Sequence, residues 1–262
     1  MAFNSPRRSV GCALAVVGML VIGTTACNRQ QVVQGVCRSV HGADVCVWGE
    51  TAGSGVVAFG ATIPVASIEN APLDAPMVWP PVAAAVIPLP AAVTTATGFK
   101  VMTMYWEAHG HPPGAYLVPH FDFHFNTASA DDLNAIDCAD VTKPSQPPAA
   151  YELPDVPVPQ LGTLVGLCVP KMGMHAAPHA ELQLASFQKT MIVGYYHARP
   201  IFVEPMIARA TLLERRSFTL DIPAVPGRPA GERYPTTFRA DYDSTLKAYR
   251  FVFSGLTAAG GQ

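Results

Sequence analysis

The stretch Pro119-His120-Phe121-Asp122-Phe123-His124-Phe125-Asn126 decides how this chain is read. Polar and aromatic residues alternate from His120 to Phe125. Successive side chains of a β-strand point to opposite faces, so Phe121, Phe123 and Phe125 share one face and His120, Asp122 and His124 the other. Three phenylalanine rings tie one face to an apolar core. The polar row then turns to a second cavity or to solvent. Imidazole and carboxylate together make a donor set suited to a divalent ion such as Zn, Fe or Mn. At about 3.3 Å per residue, positions two apart lie roughly 7 Å from each other and positions four apart roughly 13 Å. Neighbours in the row can share an ion, whereas His120 and His124 can do so only if the strand bends. Asp122 stands between them and can serve either. The alternative for the row is a hydrogen-bonded polar network with no ion.

On either side lie further short strand signals, at residues 31–38, 45–49, 54–64, 99–107, 161–169, 188–196, 201–206, 236–241 and 248–254. Ser129 followed by Asp131 and Asp132 reads as an N-cap with acids in the first turn of a short helix. Residues 207–216 have a helix-forming composition. Residues 65–97 and 142–160 are proline-rich and read as surface connections, with 83–87 as an alternative buried strand. About ten short strands with one or two short helices predict a mainly β (α+β) fold, an antiparallel β-barrel or sandwich. The domain expected is a single β-rich one over residues 31–256.

The composition agrees with such a fold. Of 262 residues, 50% are hydrophobic and 14% charged, against about 25% charged in an ordinary soluble domain, which is the reverse of a disordered chain. With 17 Lys and Arg against 19 Asp and Glu, no basic excess exists to neutralise nucleic acid. Arg7 and Arg8 precede an apolar run over residues 10–23, shorter than the roughly 20 residues of a membrane span. Residues 1–26 are therefore expected to be a signal peptide. Thr24-Thr25-Ala26-Cys27 resembles a bacterial lipoprotein cleavage box, in which Cys27 becomes the lipidated first mature residue. Ordinary signal-peptidase cleavage is the alternative, and Arg7-Arg8 raises a twin-arginine route. Either way the protein is expected outside the cytoplasm, as a membrane-anchored lipoprotein or secreted.

Cys12 falls inside the signal. Cys37, Cys46, Cys138 and Cys168 remain, an even number for an oxidising compartment. Three pairings are open. Cys37–Cys46 is favoured because the two flank a turn at His41-Gly42-Ala43-Asp44, which leaves Cys138–Cys168.

Two further residues extend the polar row as candidate metal ligands. His175 ends Met172-Gly173-Met174-His175, and Glu204 lies in the apolar run Phe202-Val203-Glu204-Pro205-Met206, where an unpaired carboxylate is costly. A salt bridge from Glu204 to an arginine such as Arg209 is the competing reading. His179 and His197 have weaker claims, His109 and His111 read as loop residues lining an entrance, and His41 as a turn residue. Tyr195 and Tyr196 read mainly as core. The expected metal set is His120, Asp122, His124, His175 and Glu204.

The series Trp106, His109-Gly110-His111-Pro112-Pro113-Gly114, PHFDFHF, MGxH, Gly194-Tyr195-Tyr196 and FxEPM resembles a bacterial family of exported proteins with a domain of unknown function. Its prototype is a stress-sigma-factor-regulated Thermus protein. The likeness spans about residues 100–210 and implies a mainly β fold and a shared site, with no established reaction. The expectation is thus an exported cell-envelope protein with a His/carboxylate metal site, whose partners are the ion, a small molecule and, in an assembly, further copies of itself. The alternative is a metal-dependent enzyme, a hydrolase or cupin-like oxygenase, using the same residues. No G-x-S-x-G elbow or G-x-x-x-x-G-K loop is present.

Overall fold

The computed structural model describes residues 30–258; the expected signal peptide and Cys27 lie outside them. In chain order, β1 (Gln30–Val40), β2 (Ala43–Ala52) and β3 (Gly55–Pro64) form a meander. Helix α1 (Val65–Glu69), β4 (Ala85–Pro88) and α2 (Ala91–Thr97) lead to β5 (Val101–Glu107) and β6 (His120–Asn126). Then come α3 (Ala130–Asn134), β7 (Tyr151–Glu152), the hairpin of β8 (Val156–Val158) and β9 (Gly162–Leu164), β10 (Met174–Pro178) and α4 (His179–Leu182). A long hairpin of β11 (Lys189–Tyr196) and β12 (Arg199–Ala208) is followed by α5 (Arg209–Leu213) and β13 (Phe218–Asp221). The last strands are β14 (Arg233–Tyr234), β15 (Thr237–Asp243), β16 (Ala248–Ser254) and β17 (Thr257–Ala258).

Two antiparallel sheets dominate, one of six strands in the order β1-β2-β3-β16-β15-β13 and one of seven in the order β4-β5-β6-β12-β11-β10-β7. Both are open, so the sandwich reading holds and the barrel does not. The phenylalanines of β6 point between the sheets. The ring centroid of Phe123 lies 4.9 Å from that of Phe251, and Phe125 lies 4.6 Å from Phe253 and 6.1 Å from Phe59. Such aromatic contacts between facing sheets supply most of the apolar burial that holds a sandwich together.

The other face of the seven-stranded sheet is covered too. Tyr116 and Phe187, from connecting segments, pack with Ile192 of β11 and with Phe202 and Met206 of β12 in a second apolar cluster. The polar row of β6 therefore sits under a lid of loops: His120, Asp122 and His124 are all buried.

Several expectations need correction. Five short helices form among the described residues, where one or two were expected. Residues 65–97 contain two of them and an edge strand, since Val65, Ile68 and Val93 all have core to fill. The strand expected at 161–169 stops at Leu164, because Gly166 takes a left-handed φ of 59° and bends the chain into a 3-10 turn. The paired strand begins later, at Met174. Helix α5 is shorter than 207–216, because Ile207 and Ala208 stay paired with Phe121 and His120. The favoured disulfides both form, Cys37–Cys46 between facing positions of β1 and β2 and Cys138–Cys168 across a longer loop. They fit an oxidising, extracytoplasmic setting. No helix among the described residues is long and apolar enough to cross a membrane.

Candidate metal centre

The register of the seven-stranded sheet decides who meets whom. Phe202 pairs with Asn126, Val203 with Phe125 and Met206 with Asp122; the same register places Glu204 beside His124. Cross-strand neighbours on one face are the closest contacts a sheet offers. His124 Nε2 and Glu204 Oε2 are accordingly 3.2 Å apart, both side chains almost wholly buried. His175 comes from β10, two strands further along. It pairs with Gly194, which in turn pairs with Phe202. A Cβ at Gly194 would lie 1.9 Å from the Phe202 ring, so the ring can lie over that strand only because residue 194 has no side chain. The ring then packs edge-on against His124 at 4.5 Å and against His175 at 5.2 Å. This leaves His175 Nε2 4.0 Å from Glu204 Oε2.

The other half of the row makes a separate group. His120 Nε2 lies 3.2 Å from Asp122 Oδ1, and His111 Nε2 lies 3.9 Å from Asp122 Oδ2. His111 comes from the loop after β5. Gly110, at a φ of 67°, turns that loop so tightly that a Cβ would sit 2.2 Å from the Tyr116 carbonyl oxygen, and the His111 amide donates to the same carbonyl at 3.2 Å. The His111 and His120 rings meet edge to face, 4.8 Å between centroids.

The five expected ligands are thus all buried on one face but do not form one site. They divide into His111, His120 and Asp122 (the outer group) and His124, His175 and Glu204 (the inner group), each with ligand atoms within 4.8 Å of one another that could hold a metal ion. His120 and His124 stay apart because β6 does not bend. His111 was missed as a ligand: nothing in a Pro-Pro loop shows that it folds back over a strand. The signal available was the HGHPPG motif itself.

Hydrogen bonds fix which nitrogen three of the four rings offer. Nδ1–H of His120 donates to the Val118 carbonyl at 2.7 Å, that of His175 to Leu167 at 2.9 Å and that of His111 to Pro112 at 2.8 Å. A carbonyl oxygen only accepts, so in each neutral ring Nε2 carries the bare lone pair. In all three rings Nε2 faces a carboxylate oxygen. Such an imidazole anchored through its other nitrogen is the arrangement of metal-bound histidines. Among the described residues, His120 Nε2, Asp122 Oδ1, both nitrogens of His124 and Glu204 Oε2 are buried with no partner in hydrogen-bond geometry. Two donors about 2.0–2.1 Å from a tetrahedral ion lie roughly 3.4 Å apart, close to the 3.2 Å found in each group.

The electrostatics differ between the halves. Burial pushes His175 down to about 3, helped by the neighbouring His124 charge. Burial also raises Glu204, against the pull of His124. In the outer group burial alone would raise Asp122, but the His120 charge outweighs it and holds Asp122 down at about 2. His120 is raised in return: burial opposes its charge, and Asp122 overcomes that. His111 is lowered by burial and by His120. Glu107, at the end of β5, is pushed up to about 8 by burial and then by the Asp122 charge.

Other candidates lie elsewhere. Arg209 donates to the Ile68 and Glu69 carbonyls at 3.1 and 2.9 Å and is not the partner of Glu204. His179 pairs with Glu152 and His197 with Asp140, both exposed, so neither joins a group. His41 Nδ1 donates to the Ser67 carbonyl, and His109 Nε2 to that of Ala75. Tyr195 belongs to the main core.

A cavity of about 400 Å³ opens over the sheet, with Glu107, His111, Asp122 and His175 in its wall. The outer group borders it through two members, and the His111 side chain is 30% exposed. His124 and Glu204 are sealed from it.

The fold and this layer define a β-sandwich with two buried His/carboxylate groups. No protein-family model, curated protein or solved structure matches the chain.

Proposed function

We propose that this is an exported cell-envelope protein that holds two divalent ions, the inner one as a structural ion and the outer one as the working centre of a metal-dependent enzyme. One observation carries the reading: in each of two groups a buried imidazole nitrogen meets a buried carboxylate oxygen, His120 Nε2 at 3.2 Å from Asp122 Oδ1 and His124 Nε2 at 3.2 Å from Glu204 Oε2, and none of these four atoms has a partner in hydrogen-bond geometry. A cation in each group would give these atoms the partner they lack. Two imidazoles and one carboxylate suit Zn, Fe or Mn.

Three protein ligands per ion leave a coordination position free, as catalytic centres require. Only the outer group reaches the cavity through more than one ligand. There an ion can lower the pKa of a bound water or polarise a substrate oxygen. Glu107, in the same wall, stands where a proton would be exchanged. The resemblance to the exported family of unknown function belongs to this proposal. Its motifs supply the groups: HGHPPG brings His111, PHFDFHF brings His120, Asp122 and His124, MGxH brings His175, and FxEPM brings Glu204.

The test is elemental analysis of the mature protein purified after metal-replete expression. About two equivalents are expected in the wild type and none in His120→Ala/His124→Ala. A wild-type protein free of metal overturns the proposal.

A further inference from the structure

We propose that the cavity binds a small amphiphile, with an oxygen-rich head on the outer metal ion and an apolar chain or ring against the loops; this rests on the metal reading above. The two sides of the cavity differ in chemistry. Glu107, His111, Asp122 and His175 form the side built on the seven-stranded sheet and the loop folded onto it. Most of the remaining lining comes from residues 77–81 and from the β8–β9 hairpin with the turn after it, through Met77, Val78, Trp79, Leu161, Leu164 and Leu167. All side chains able to ligate a metal belong to the sheet or to the loop folded onto it, and the rest of the lining is almost wholly apolar. A site of this size and composition is the usual form of a small-molecule pocket.

The polar side carries two carboxyl groups, and neither lysine nor arginine lines the cavity. A phosphorylated or polyanionic ligand has nothing to neutralise it there. A sugar has one side-chain amide, Gln160, and few other partners. A single oxygen head that binds the ion meets the one positive charge the site can offer, and desolvation of the tail supplies the rest.

The mouth supports the same occupant. Met77 is 76% exposed, Leu117 57% and Leu161 42%, and all three line this cavity. Large apolar side chains grouped at a pocket mouth mark a surface that a ligand covers.

The experiment compares two ligands with one head. Acetohydroxamate and octanohydroxamate are titrated by calorimetry into the metal-replete mature protein and into Leu117→Asn/Leu161→Asn, whose positions are exposed enough to leave the fold intact. The longer hydroxamate is expected to bind at least 100-fold tighter to the wild type. That advantage is expected to fall at least tenfold in the variant, with metal content and thermal midpoint unchanged. Metal present but a tail preference below threefold overturns the amphiphile and leaves the metal reading standing. A protein that retains no metal fells that reading, and this inference with it.

Discussion

Gly194 lies directly across from Phe202 on the neighbouring strand, and the Phe202 ring occupies the space a side chain at 194 would fill. That ring is the wall against which His124 and His175 are set. The inner group therefore depends on a hydrogen atom at a position that binds nothing. Gly194→Ala is expected to cost about 1–3 kcal/mol, the usual range for overpacking. It should also empty the inner site while the outer one keeps its ion. Urea unfolding and metal content of the same preparation check both; an unchanged metal count would detach Phe202 from the site.

The division into two groups predicts separable losses. His111→Ala is expected to remove one equivalent of metal and His175→Ala the other, since each histidine serves only its own group. Elemental analysis of the two variants reads this directly. Loss of both ions in either variant would instead mean one shared centre.

Removing metal should loosen the fold as well as the site. Each ion would add a link between β6, β10, β12 and a loop beyond the sheet pairing that already joins the three strands. At a free concentration about 100 times the dissociation constant, binding of one ion to the native state contributes about 2.7 kcal/mol. In a chain of this size that is roughly 5–10 °C in thermal midpoint for one ion and about twice that for two. Calorimetric scans with and without a chelator test it, and a midpoint indifferent to chelation goes against the expectation.

The two disulfides should differ in worth. Cys138–Cys168 closes a 30-residue separation and Cys37–Cys46 one of 9. Chain entropy then assigns about 3.5 kcal/mol to the first and about 2.5 to the second. Cys168 also follows Leu167, whose carbonyl holds the His175 ring. Paired Cys→Ala variants, compared by urea unfolding and metal content, are expected to show the larger loss and the weaker inner site for Cys138/Cys168.

Phe123 is fully buried against Phe251 of the opposite sheet. Phe123→Ala should cost about 3–5 kcal/mol. Equilibrium denaturation measures it, and a loss under 1 kcal/mol would contradict the sandwich core drawn here.

Much of this was legible in the chain. The period of two in β6 sorts six side chains onto two faces, because a strand leaves no other choice. Positions four apart strain the reach of one ion unless the strand bends, and the structure places His120 and His124 in different groups. An acidic residue in the apolar run around Glu204 announced a buried carboxylate in need of a partner. The spacing of Cys37 and Cys46 about a turn announced their bond.

What local pattern cannot carry is the choice of neighbour. His124 meets Glu204 through the register of β6 against β12, and register is set by how both strands bury their apolar faces, not by either sequence alone. His111 meets Asp122 because a loop folds back over the sheet, a path governed by backbone turns at Gly110. His175 reaches its group across Gly194, two strands away. The amino-acid sequence determined the donors and the face they share; long-range packing alone decided that this face is buried, and that it holds two groups rather than one.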